Sequence, residues 1–220
     1  SSRAYDSSLR SARHAALGYS ESNLHYTPWC SGAEGHVVMP KDDGTLKHRM
    51  VRDESGHGTG VNDCLVPLEC RIDSLADALL KIPPPVTISD RLHCSKVALF
   101  DLRDCYYLYS RSQLDADYAG GVDPVTGVAS RMRFCTMGNA QSGAVAQRWA
   151  AVIAGIVEEH ATRYCTHKAT LALERAVTVA GACYDDFLLA AAPELAHEPE
   201  ALTELYESVW RLLLDLCCQR

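Results

Sequence analysis

The 220-residue chain lacks the features by which membrane proteins and secreted proteins are usually recognised. Its longest apolar run is too short to cross a bilayer as a helix, and no signal-peptide pattern opens it. The motif Cys-x-x-Cys is absent although there are ten cysteines, and Cys165 with His167 is too sparse a pair for a zinc site. We therefore expect an intracellular protein, in the cytoplasm or nucleus, with no membrane partner and with reduced, mostly buried thiols.

A surplus of positive charge is lacking as well. The 28 acidic residues outnumber the 21 basic ones, and a net charge of −7 argues mildly against a nucleic-acid binder, which usually carries a basic patch. The charge is unevenly spread, however, because basic residues cluster between Lys41 and Arg52 while 194–207 is strongly acidic. Overall charge therefore decides little about partners.

Asp185 and Asp186 interrupt an apolar run. The flanking stretches 177–182 and 187–192 have strand-like length, so the pair is predicted at the tip of a tight β-hairpin. Burying adjacent like charges is unfavourable by several kcal/mol unless something neutralises them. By itself the pair is explained either as a solvated turn or as a divalent-cation site, since Mg²⁺ prefers one or two carboxylates plus phosphate oxygens.

The rest of the pattern predicts an α+β fold. Hairpins are expected at 36–52, around the turn residues of 41–44, and at 118–133, while an apolar strand at 96–100 leads directly into Asp101. Helices are expected at 7–17, 141–164 and 198–217. The predicted apolar face of the second of these helices consists of Ala144, Val145, Trp149, Val152, Ile153 and Ile156. The stripe predicted for the third consists of Leu202, Leu205, Val209, Leu212 and Leu213.

A carboxylate directly after an apolar strand can project from the edge of a sheet. If the strand before Asp101 and the Asp-Asp hairpin are neighbours, then Asp101, Asp185 and Asp186 converge. Such a cluster suits two Mg²⁺ ions about 3.5–4 Å apart, an arrangement used for in-line displacement at phosphorus. A lone Asp at a strand end is an ordinary turn residue, so the prediction depends on the combination.

Four segments occur in the order found in retroelement reverse transcriptases, and together they resemble that family over roughly residues 36–192. Phe100-Asp-Leu-Arg-Asp-Cys-Tyr-Tyr107 resembles its first catalytic motif, and Ala182-Cys-Tyr-Asp-Asp-Phe187 resembles its aromatic-x-Asp-Asp signature. The segment 137–147 is similar to the Gln-Gly-x-x-x-Ser-Pro motif that begins the long palm helix. The segment 38–53, with its Pro-Lys-x-Asp-Gly turn, resembles the fingers hairpin.

The resemblance implies an RNA-directed DNA polymerase of a mobile retroelement, with the fingers and palm of a right-hand polymerase fold. It assigns 1–95 to a fingers-like region and 96–220 to the palm, and it implies a chain without a thumb or ribonuclease H region. The implied substrates are an RNA or DNA template, a primer and a deoxynucleoside triphosphate. The implied cofactors are two Mg²⁺ ions, with Mn²⁺ as an alternative.

The resemblance also implies which residues hold the metal ions. Asp101 and Asp185 are expected to be the main ligands, with Asp186 assisting and the Leu102 carbonyl completing one coordination sphere. The three aspartates are the implied catalytic residues.

Nucleotide binding is assigned by the resemblance to a second set of residues. Lys41 and Arg49 fall where the family holds the triphosphate, a role that suits their charge because Arg engages phosphate bidentately. Tyr106 matches the aromatic that packs under the sugar and excludes a ribose 2′-hydroxyl. Met137 and Gly138 match the turn at the nucleotide, where a glycine lets the backbone approach closely.

Several departures mark the chain as a divergent member of this family. Cys183 stands where an aromatic is usual, Met137 replaces a glutamine that bonds the nucleotide sugar, and Gly143 replaces a proline. Glu54 follows the fingers strand where the family has another aromatic. Two alternatives stay open: a decayed or domesticated nucleic-acid-binding module with the same fold, and an RNA-dependent RNA polymerase, which Tyr106 disfavours.

Overall fold

A computed structural model describes residues 9, 12–22, 34–52, 54–55, 60–66, 77, 80, 96–102, 105–123, 125–170 and 179–218. These residues form helices and antiparallel sheets, which confirms the α+β class. No helix in this part of the chain is long and apolar enough to cross a membrane. Contacts group the chain into two compact units, one of Ser1–Glu69 and Tyr106–Val145, the other of Cys70–Cys105 and Ala146–Arg220. The division into fingers at 1–95 and palm at 96–220 stays a prediction.

The described elements form three antiparallel sheets. The strands are β1 (Ser20–Ser22), β2 (Glu34–Pro40), β3 (Leu46–Arg52), β4 (Val97–Asp101), β5 (Gly120–Val122), β6 (Ala129–Met132), β7 (Val179–Cys183) and β8 (Asp186–Ala190). The sheet orders are β1-β6-β5, β2-β3 and β4-β8-β7. The helices are α1 (Val61–Cys64), α2 (Gln113–Asp117), α3 (Ser142–His167) and α4 (Pro199–Cys218), with 3₁₀ helices at Cys105–Leu108 and Pro193–His197. Residues 12–16 are also helical.

In the first unit, β2 and β3 form the hairpin predicted at 36–52. Its turn is closed by the Lys41 N–H, which donates to the Thr45 carbonyl at 2.8 Å, and by the Thr45 N–H, which donates to Asp43 Oδ1 at 2.9 Å. Gly44 has φ +77°, a conformation that glycine adopts without strain. The turn residues 41–44 thus specify this hairpin locally. The hairpin predicted at 118–133 is also confirmed, as β5 and β6.

In the second unit, β8 is the central strand of the sheet β4-β8-β7, and its Phe187–Ala190 segment is buried. A buried strand with a neighbouring strand on each side is expected to consist of a continuous run of apolar residues, as this one does. Helix α4 buries Leu205, Val209 and Leu213, which confirms the core of its predicted stripe. On the same helix, Trp210 stacks on Phe100 of β4 with ring centroids 6.0 Å apart.

Helix α3 forms as predicted, but half of its predicted apolar face is exposed. Trp149, Val152 and Ile156 are exposed, with Trp149 at 53%. Ile153 is buried as predicted, and the other buried apolar residues recur at helical spacing and are mainly small: Ala146, Ala150, Ala154, Val157, Ala161 and Cys165. Small side chains let a helix lie close to its neighbours, so size of side chain was a poor guide to which face is buried.

The six cysteines whose side chains the structure describes are free thiols, as predicted: Cys64, Cys105, Cys135, Cys165, Cys183 and Cys217. Of these, Cys105, Cys135, Cys165 and Cys217 are buried. Burial raises the pKa of the Cys165 thiol to about 11, and it also raises the pKa of Cys135. These thiols are therefore neutral at pH 7 and behave as small apolar groups.

Candidate active site

Asp101 and Asp186 lie directly opposite each other on neighbouring strands. Asp101 ends β4, Asp186 begins β8, and the two are Cα partners in the antiparallel register. Directly paired residues project their side chains on the same face of a sheet. The strand adjacency on which the sequence prediction depended is therefore present, and two exposed carboxylates share one face at the strand ends.

Asp185 lies in the two-residue turn that joins β7 to β8. Tyr184, the other turn residue, has φ +55°, a left-handed conformation that tight hairpin turns require and that costs a non-glycine residue about 1–3 kcal/mol. The turn is anchored to the end of β4, because the Leu102 N–H donates to the Asp185 carbonyl at 2.9 Å. Asp185 itself is half-buried. One backbone bond thus ties the hairpin tip to the strand that carries Asp101.

Gln147 of α3 forms hydrogen bonds with the backbone of the same hairpin and was not predicted as a site residue. Its side chain is buried, its Oε1 accepts the Tyr184 N–H at 3.0 Å, and its Nε2 donates to the Ala182 carbonyl at 3.0 Å. One side chain therefore bonds two backbone groups of the hairpin. The signal in the sequence was a polar residue in an apolar helical stretch, between the positions of Ala146 and Ala150.

The carboxylates repel one another. Partial desolvation at the end of the sheet raises the pKa of Asp186 above its ordinary value, and the charges of Asp185 and Asp101 raise it further. Burial, followed by the charges of Asp186 and Asp185, raises the pKa of the Cys183 thiol. Within the described ranges, no Lys or Arg side chain forms an ion pair with any of the three aspartates. The strand ends therefore carry concentrated negative charge that a cation would neutralise.

The oxygen donors predicted for two Mg²⁺ ions are three carboxylates and one backbone carbonyl. Among the described residues, no group of three or more His, Cys, Asp or Glu side chains is arranged to hold a metal ion. Mg²⁺, however, is usually bound by one or two carboxylates, with waters and substrate phosphates as the remaining ligands. Asp101 and Asp186 on one face, with Asp185 at the adjoining tip, match that oxygen-only donor chemistry. The Leu102 carbonyl adjoins Asp101 and is the predicted backbone ligand.

The charge repulsion predicts how stability depends on pH. A carboxyl whose pKa is raised by folding favours the folded state below its unfolded pKa, and this contribution is lost as pH rises through its folded pKa. Without divalent ions, we therefore expect Asp186→Asn to stabilise the protein at pH 7 but not at pH 3. Because the side chain is exposed and screened, the gain at pH 7 is at most about 1 kcal/mol. Thermal unfolding across this pH range measures it.

The matched control is Asp215→Asn, which makes the same change at an exposed position of α4. It should leave the pH profile of the wild type unchanged. Addition of Mg²⁺ should raise the Tm of the wild type more than that of Asp186→Asn, since binding to the folded state adds stability. Parallel pH profiles for wild type and Asp186→Asn would contradict the charge repulsion.

The predicted nucleotide-binding residues belong to the first unit. Lys41 is exposed at the turn after β2, and Arg49 lies in β3 opposite Val37. Tyr106 is half-buried in the 3₁₀ helix Cys105–Leu108. Met137 and Gly138 form the turn before α3, and Gly138 has φ +109°, which explains the need for glycine there.

The structure thus brings Asp101, Asp185 and Asp186 together in the second unit and describes the five nucleotide-binding candidates in the first. Each assignment depends on residue pattern and local geometry. A comparison with protein-family models and with curated protein sequences finds no match to this chain.

Proposed function

We propose that this chain is the fingers and palm of a retroelement reverse transcriptase. The observation that carries the proposal is the pairing of Asp101 with Asp186, with Asp185 in the turn between β7 and β8. It is supported by the sheet order β4-β8-β7 and by the ordered motifs of the sequence. The proposed reaction is template-directed attack of a primer 3′-hydroxyl on the α-phosphate of a deoxynucleoside triphosphate.

The residues have separate roles in this reaction. Asp101, Asp185 and Asp186 would hold two Mg²⁺ ions; when bound, these ions lower the pKa of the attacking hydroxyl and stabilise charge on the leaving pyrophosphate. Lys41 and Arg49 would meet the charge of the triphosphate. Positioning and electrostatics would account for most of the rate, as expected for phosphoryl chemistry in which the protein forms no covalent bond.

The charge of the site argues against the two alternatives. A nucleic-acid-binding module gains nothing from three carboxylates facing phosphates, and the raised pKa of Asp186 means that holding them together costs free energy. A divalent cation bound by the carboxylates would offset this repulsion, which explains why they are grouped. An RNA-dependent RNA polymerase would need room for a 2′-hydroxyl, which an aromatic at Tyr106 would fill.

Primer extension tests the proposal. The chain is expected to extend an oligo(dT) primer on poly-rA with dTTP in the presence of Mg²⁺ or Mn²⁺, and a DNA template in parallel measures template preference. Extension with UTP in place of dTTP would favour the RNA polymerase. Binding of the primer–template without extension, unchanged by Asp185→Asn, would favour the binding module.

Tyr106 refines the same prediction. Tyr106→Val is expected to admit UTP as well as dTTP, because a smaller side chain leaves room for the 2′-hydroxyl, whereas Tyr106→Phe should keep the selectivity of the wild type. The ratio of kcat/KM for the two nucleotides is the measurement. An unchanged ratio in Tyr106→Val would refute the steric role of this residue.

A further inference from the structure

Glu54 is a fully buried carboxylate in the first unit, and its two oxygens have different partners. Oε1 accepts Arg111 Nη2 at 3.1 Å and the Thr136 hydroxyl at 2.8 Å, whereas Oε2 accepts Asn139 Nδ2 at 2.6 Å. A buried charge is tolerated only when it is paired and hydrogen-bonded, and here both conditions are met. Two of these partners, Thr136 and Asn139, flank the Met137–Gly138 turn.

Arg111 extends the network to the segment that precedes the turn. Its Nε donates to the Phe134 carbonyl at 3.0 Å, and its Nη2 also donates to the Thr136 hydroxyl at 3.0 Å. The guanidinium is almost completely buried, with 8% of its side chain exposed. Glu54 and Arg111 together therefore fix the chain on the N-terminal side of the turn.

Asn139 fixes the other side. Its Oδ1 accepts the N–H groups of Gln141 and Ser142, at 2.9 and 3.2 Å, and so caps the start of α3. Its Nδ2 can reach Glu54 only while the amide keeps this orientation. Glu54 therefore selects the rotamer in which Asn139 caps the helix, and the cap sets where the turn ends.

Asn62 closes the turn itself. Its Nδ2 donates to the Gly138 carbonyl at 2.7 Å and its Oδ1 accepts the Ala140 N–H at 2.8 Å, while its own N–H donates to the Glu54 carbonyl at 3.0 Å. Glu54 and Asn62 thus hold the turn 136–141 by hydrogen bonds on both of its sides. All these contacts lie within the first unit.

We propose that Glu54 is a positioning residue for nucleotide binding: through Asn139 it holds the turn that presents Met137 and Gly138. This inference rests on the proposed function. Met137 has no amide with which to fix itself to a nucleotide, so the turn must be held by other groups. Glu54 provides this support at the position where the resembled family has an aromatic residue. The positioning role therefore accounts for the departure from the family motif at Glu54.

The alternative is that the network stabilises the first unit without affecting nucleotide binding. A swap of donor and acceptor separates the two roles. Glu54→Gln alone places two amide donors face to face, so Asn139 must lose either its bond to position 54 or its cap. Asn139→Asp alone places two carboxylates 2.6 Å apart. The double variant restores one donor and one acceptor, because the introduced glutamine can donate to the introduced aspartate while its oxygen still accepts Arg111.

Two readouts are needed. Amide hydrogen exchange at Gln141 and Ser142 reports the cap directly, and KM and kcat for dTTP report nucleotide binding and chemistry. Each single variant should exchange faster at these amides, because the cap of Asn139 is then either lost or no longer held in place by position 54. Each should also raise KM by about tenfold or more, as expected for loss of one hydrogen bond to a charged group, with kcat little changed. The double variant should recover both. The control Glu21→Gln makes the same change at a glutamate that pairs with Arg131 and should alter neither readout.

Each outcome decides one point. Recovery of both exchange and KM in the double variant supports the positioning role. Faster exchange in the single variants with an unchanged KM would overturn it, leaving the network structural and the proposed function intact. A wild type that neither extends a primer nor binds dTTP would overturn the proposed function and this role with it, while the exchange data would still show whether positions 54 and 139 are coupled.

Discussion

Asp185→Asn is expected to abolish Mg²⁺-dependent primer extension while leaving the protein folded. The backbone carbonyl of Asp185, which accepts the Leu102 N–H, is untouched by this substitution, so the hairpin tip should stay in place. The half-buried carboxylate, by contrast, loses its charge and its capacity to hold a cation. A rate reduced by about three orders of magnitude corresponds to a loss of roughly 4 kcal/mol of transition-state stabilisation.

The fold of the variant should be as stable as that of the wild type or slightly more so. Removing the Asp185 charge relieves one of the causes that raise the pKa of Asp186. Asp215→Asn again serves as the control, since it removes one exposed carboxylate of the same unit without touching the strand ends. Full extension by Asp185→Asn would disprove the catalytic assignment. Loss of extension in both variants would mean that removing any carboxylate of this unit abolishes activity, so the loss could not be assigned to position 185.

Many of the strands and turns that carry the candidate residues could be predicted, because the sequence patterns that indicate them are local. The hairpin at 36–52 is specified by the turn residues between Pro40 and Thr45, and the strand before Asp101 by a short apolar run. The turn at Tyr184 and Asp185 interrupts two apolar strands, which by itself defines a hairpin. Patterns of this kind depend on neighbouring residues and can be read without knowing the tertiary structure.

The supporting contacts could not be predicted in this way. Glu54 binds partners 57, 82 and 85 residues away, and Gln147 binds backbone groups 35 and 37 residues away. Nothing in the sequence indicates which buried polar group will meet which. The exposed face of α3 was misjudged for a related reason, because Trp149 counted as a core residue while the alanines that actually pack did not. Hydrophobic size predicts burial only on average.

Gln147 carries the second large expected effect. Gln147→Met keeps the volume of the side chain but removes its acceptor and its donor. The part-buried Tyr184 N–H and the buried Ala182 carbonyl each lose a partner as a result. An unsatisfied buried group costs about 1–3 kcal/mol, so the free energy of unfolding should fall by roughly 2–4 kcal/mol. Denaturant unfolding measures this loss, and Gln113→Met, at an exposed position of α2, should leave stability nearly unchanged.

Gln147→Glu distinguishes a hydrogen-bonding role from simple packing. A protonated carboxyl has one acceptor and one donor and can reproduce both bonds of the amide, whereas the ionised form can only accept. Burial next to the hairpin that carries Asp185 should raise the pKa of the introduced glutamate, so its contribution to stability is present at low pH and lost as pH rises through that pKa. The variant should therefore approach the stability of the wild type near pH 4 and fall well below it at pH 7. A Gln147→Glu variant as stable as the wild type at both pH values would show that the hairpin does not depend on these two bonds.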